Sequence, residues 1–184
     1  MNQAFNKIFW GYLFVFLEIH IIVIDVLAEP IGYYLMFSGI KRLIEDFPIG
    51  QKAKVLSFLL IFLSLPTVFI QQNAGTEQIV FSGWSIYTTV LGFAKLVFVF
   101  YLFQLVLAFV QRARHDRMIT RVSRTFNAYM MIMLLASFAS TFMINFATSS
   151  FVTIMIVVMV ASFVMEIVFL ILLWSLRKMN ITPS

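Results

Sequence analysis

Four ionisable residues interrupt long apolar runs: Glu18, His20, Lys95 and Glu166. At the centre of a helix in lipid, an ionised side chain costs roughly 2.5–3.5 kcal/mol on insertion scales. It therefore needs an opposite charge, a hydrogen-bonding partner or a wet cavity. Lys95 could pair with Glu18 or Glu166, which would leave neither charge orphaned. Such a pair could simply lock helices together, or it could serve transport or a proton relay. Alternatively, Lys95 could snorkel outward along its stem. His20 is two positions from Glu18, so the two point to different faces of a helix. Asp25 and Glu29 are four apart and form the polar part of a turn that ends at Pro30.

These residues do not add up to a metal or catalytic centre. Zinc takes three or four N, S or O ligands, and the second histidine, His115, lies in a distant basic segment. With no cysteine in the chain, thiolate metal sites, disulfides and Cys nucleophiles are excluded. The sequence contains no G-x-S-x-G, H-E-x-x-H, phosphate-loop or dinucleotide fingerprint. No metal, cofactor or catalytic residue is expected. Only the crowding of Glu18, His20 and Asp25 speaks for an intramembrane enzyme.

The elements that would position these residues are membrane helices. The chain is 62% hydrophobic with a mean hydropathy of +0.99, against roughly 45–50% apolar in soluble domains. Four apolar runs stand out: Val55–Ile70, Ile86–Val110, Ala128–Ala147 and Phe151–Trp174. The first should bend or break near Pro66, which lacks an N–H and clashes with the preceding turn. Thr148-Ser149-Ser150 reads as the turn of a tight helical hairpin.

Twelve of the thirteen Lys and Arg residues lie outside the apolar runs, Lys95 being the exception. Lys41, Arg42, Lys52 and Lys54 precede the Val55 run. Arg112, Arg114, Arg117, Arg121 and Arg124 separate the next two runs, and Arg177-Lys178 follow the last. The segment 71–85 and the Thr148 turn carry no Lys or Arg. The basic clusters thus fall on one side, which the positive-inside rule makes cytoplasmic.

The N-terminal region permits two readings. Ile8–Ile24 and Ile31–Ile44 form either a hairpin with an acidic outer turn or one crossing followed by an interfacial segment. Lys7 and Lys41-Arg42 on one side favour the hairpin. The expected fold is then an all-α, polytopic transmembrane bundle of about six helices in a single domain, 1–184. A short hairpin over 5–46 precedes a four-helix part over 55–176, and both termini are cytoplasmic. Glu18, His20 and Asp25 interrupt the run after Lys7 and no A-x-A site follows, so no cleavable signal is expected.

The arginines of 112–124 read first as an anchor on anionic lipid, at about 1 kcal/mol per residue near the surface. They could also dock a cytoplasmic protein partner. The net charge of +5 is explained by such anchors, so no nucleic acid is expected. Gly32 and Gly39, seven apart, share a helical face and permit close approach of a neighbour. Ala136, Ser137, Ser140 and Thr141 offer a similar small-residue stripe.

The opening Phe9-Trp10-Gly11, the Ile24-Asp25-Val26-Leu27 turn and the Ile31-Gly32-Tyr33 helix with Gly39 resemble a known pattern. It is that of a family of uncharacterised small multi-spanning membrane proteins of Gram-positive bacteria. The similarity covers about the first 45 residues. The resemblance implies a bacterial plasma membrane location and no particular activity. Taken with the buried charges, the chain reads as a transporter of a small solute or ion, or a transporter subunit. The alternatives are a regulatory or assembly membrane protein without substrate, and an intramembrane enzyme.

Overall fold

The computed structural model describes residues 2–20, 28–69, 83–142 and 149–178. Nearly all are helical or in turns, and no strand occurs among the described residues. The helices are α1 (Asn2–His20), α2 (Ala28–Lys41), α3 (Gly50–Leu63), α4 (Leu65–Phe69), α5 (Gly83–Arg112), α6 (Asp116–Phe142) and α7 (Ser149–Arg177).

Local chemistry sets several of these boundaries. Pro66 cannot donate to Phe62, and its ring would crowd that carbonyl, so α3 stops at Leu63 and resumes as the five-residue α4. The Ser64 N–H still donates to the Leu60 carbonyl at 2.9 Å, and the Thr67 hydroxyl donates to the Ser64 carbonyl at 2.7 Å. Between α5 and α6 the chain reverses at Arg114, whose φ of 51° is left-handed. A non-glycine residue in this conformation closes the helix end much as a glycine cap would. Asp116 and Arg112 sit in the first turn of α6 and the last turn of α5, where their charges complement the helix dipoles.

α1 and α2 form an antiparallel hairpin in near backbone contact. A Cβ built on Gly32 would lie 2.6 Å from the Gly11 carbonyl oxygen, and one on Gly39 would lie 2.7 Å from that of Ala4. The expected face of Gly32 and Gly39 is therefore the one that meets α1. Lys7 Nζ donates to Ser38 Oγ at 2.7 Å across the same seam.

Backbone neighbours run α1–α2–α3–α5–α6–α7 and back to α1, a closed ring. Side chains of α5 fill its interior, with Phe98, Leu102, Phe103, Leu105, Val106 and Phe109 buried. Phe109 packs on Phe5 with ring centroids 4.4 Å apart, and Phe103 packs on Phe169 at 4.4 Å. α1 also packs on α7, so the N-terminal hairpin closes the ring.

The helix ends that carry every Lys and Arg except Lys95 meet at one end of the ring. There Arg42 donates to Gln3 at 2.7 Å, Arg112 reaches Asp46 at 3.4 Å, and Phe9 packs on Trp174.

Among the described residues, two helical stretches, Ile86–Arg112 and Thr153–Arg177, are long and apolar enough to cross a membrane. The other expected crossings fall short for physical reasons. α2 and α3 have 14 residues each, roughly 21 Å at about 1.5 Å per residue. α6 begins at Asp116, twelve residues before the expected run, so its first turns carry Arg117, Arg121 and Arg124.

Candidate functional site

Lys95 forms an ion pair with Glu29, a partner that the sequence reading, which named Glu18 and Glu166, did not name. Glu29 belongs to the first turn of α2, so it is not part of an exposed polar turn. Its side chain is only 5% exposed, against 25% for Lys95. Two features place it there. Pro30 fits a helix first turn, where its missing N–H costs nothing, so α2 begins early enough to include Glu29. A carboxylate near a helix N-terminus is also electrostatically favoured. The pair ties the hairpin to the middle of α5.

Glu166, on α7, is satisfied by phenols. Tyr12 of α1 donates to its Oε2, and Tyr129 of α6 donates to its Oε1 at 2.8 Å. The two hydroxyl oxygens are 3.2 Å apart. Three helices thus converge on one carboxylate, and Phe169, one turn further along α7, packs edge-on to Tyr12 at 4.7 Å. Hydrogen bonds of this kind are strong where the surroundings are apolar.

The two clusters share a cavity of about 130 Å³. Lys95 and Gly92 face it from α5, Tyr12 from α1, Tyr129 and Ser137 from α6, and Glu166 from α7. The rest of its wall is largely apolar, including Val15, Met36, Leu96 and Phe98. The volume suits several waters or a small solute. Such a chamber offers a cation, a carboxylate and hydroxyl groups within an apolar shell, a pattern common to small-ligand sites.

The remaining candidates separate clearly. The side chains of Glu18 and His20 lie outside the described residues, as does Asp25. Arg112, Arg114, Arg117, Arg121 and Arg124 are all exposed at the basic end, together with His115. No group of His, Asp and Glu that could hold a metal ion occurs among the described residues.

Sequence reasoning missed Tyr12 and Tyr129, because a tyrosine in an apolar run is unremarkable on its own. The usable signal is that a buried phenol needs a hydrogen-bond partner, and few carboxylates lie at a comparable depth. No family model, curated protein or solved structure matches the chain.

Proposed function

We propose that the chain is a multi-spanning membrane protein that handles a small polar solute or an ion at the central cavity, as a transporter or transporter subunit. The observation that carries this reading is that Lys95 and Glu166 line one cavity between the helices. Charged groups buried only to join helices have no need to share a void. In this reading the basic end of the ring faces the cytoplasm of a bacterial cell, with the arginines of 112–124 on anionic lipid.

The outward faces support a lipid environment. Phe62, Phe138 and Met159, on three different helices, are 56%, 65% and 66% exposed, and extensive exposed apolar surface is a mark of membrane or partner contact. The motifs behind the resemblance to the Gram-positive family contribute Gly11 and Gly32, which gives that pattern a packing role in the hairpin.

The absence of cysteine makes the test direct. Single cysteines at Met133 and Ser137, on the cavity wall, should react in membranes with a small cationic thiosulfonate. A cysteine at Leu135, 58% exposed on the outer face, should not react. Failure of both cavity positions to react from either side of the membrane would make the chamber sealed and dry. That result would favour an assembly protein without substrate, a reading already supported by the internal pairing of Lys95 with Glu29.

A further inference from the structure

A second cavity, of about 300 Å³, opens at the basic end of the ring and is lined by Asn2, Gln3, Asn6, Trp174, Arg177 and Lys178. The Arg177 guanidinium sits between two rings inclined at 67° to each other, 4.9 Å from the centroid of Phe9 and 4.4 Å from that of Trp174. Ring contacts of this kind favour the cation but supply no hydrogen-bond acceptor in the ring plane, so the N–H groups must be satisfied elsewhere. Its Nη1 is buried and has no hydrogen-bond partner among the described residues. A buried donor of a charged group is costly to leave unmade, so this one calls for an acceptor.

The other lining groups fit the same demand. No carboxylate side chain is among the described residues that line the cavity. Lys178 adds a second cation and stacks on Trp174 at 5.6 Å. The carbonyl oxygen of Gln3 is already engaged by Arg42 at 2.7 Å, which leaves the amide nitrogen as its donating end. A guanidinium edge, an ammonium and a carboxamide N–H₂ together suit an oxyanion with several acceptor oxygens, above all a phosphate group.

We propose that this cavity is a phosphate-binding site, in which Arg177 makes a two-pronged contact to the phosphate oxygens, backed by Lys178 and Gln3. The group would belong either to a phospholipid headgroup, which rests on the membrane reading above, or to free phosphate or a small phosphorylated compound, which does not. The volume exceeds that of bare phosphate, so an esterified phosphate fits with its neighbouring atoms.

The test uses the full chain in neutral detergent and follows thermal unfolding in two titrations. One adds inorganic phosphate against chloride at equal ionic strength. The other adds phosphatidylglycerol against a glucosyl diacylglycerol, which carries no phosphate. A rise in unfolding midpoint with phosphate alone assigns the site to soluble phosphate. A rise with phosphatidylglycerol alone assigns it to the headgroup.

In either case Arg177→Gln should weaken apparent affinity by roughly tenfold or more, as expected for a lost charge-assisted contact. Arg177→Lys should fall between Arg177→Gln and the parent, because it keeps the charge but not the fork. Lys178→Gln, at an exposed position, should weaken binding several-fold and serves if Arg177→Gln does not fold. Arg124→Gln, on α6 away from the cavity, should leave affinity unchanged. No midpoint shift with either ligand, or equal affinity in the parent, Arg177→Gln and Lys178→Gln, would overturn the proposal.

Discussion

At the scale of residues, the energetics turn on which groups share a partner. Removing one member of a buried ion pair typically costs about 3–5 kcal/mol, because the other is left uncompensated. Lys95 is a quarter exposed, so Lys95→Met should fall toward the lower end of that range, measured as unfolding in detergent. Adding Glu29→Gln should recover much of the loss, whereas adding Glu166→Gln should recover none. Recovery by Glu166→Gln instead would mean that Lys95 spends its time beside the phenol cluster.

That cluster makes its own prediction. Tyr12→Phe or Tyr129→Phe alone leaves Glu166 one phenol donor and should cost about 1 kcal/mol. The double variant removes both phenols and should cost clearly more than the sum, because the groups act on one carboxylate. Strict additivity would show that the two hydroxyls do not act together. The sequence exposes Lys95 and Glu166 as residues that need partners. It does not expose the partners, because Glu29 reads as turn chemistry and the tyrosines read as ordinary membrane aromatics.

At the scale of elements, the hairpin depends on the absence of a side chain at three glycines. A Cβ at Gly32 meets the Gly11 carbonyl and the Val15 side chain, so α1 and α2 must part to admit one. Gly32→Ala should therefore destabilise by about 1–3 kcal/mol, the usual cost of overpacking. Gly92 is the internal control: a Cβ there meets nothing within 4 Å, and it points toward the central cavity. Gly92→Ala should be neutral or stabilising by up to about 1 kcal/mol through helix propensity. Equal loss at both positions, read by thermal unfolding, would contradict a glycine-clasped hairpin.

Much at this scale is legible in the sequence, because Pro66 and the spacing of Gly32 and Gly39 act locally. The start of α6 is less legible. Arg117, Arg121 and Arg124 look like loop residues beside an apolar run, yet their spacing of four and three lets them continue one helix outward from it. Hydropathy marks where a helix leaves the apolar layer, not where it ends.

At the scale of the whole molecule, charge asymmetry and helix order agree. The helix ends bearing twelve of the thirteen Lys and Arg residues converge, and Lys95 alone stands apart from them. The ring also explains what hydropathy could not reveal. Which helices are neighbours depends on side-chain packing between distant segments, here Phe9 on Trp174, Tyr12 on Phe169 and Phe5 on Phe109. That closure brings Tyr12 of α1 to Glu166 of α7. Two helical stretches among the described residues have the length and composition to cross a membrane, and in the proposed six-crossing arrangement the other helices would be stabilised by neighbours in the ring.

A topology map by reporter fusions tests the proposed six crossings most directly. Fusions after Ser82 and Ser149 should report outside the cell, and those after Arg117 and Ser184 should report the cytoplasm. A cytoplasmic reporter after Ser82 or an external one after Ser184 would contradict six crossings with the basic end inside.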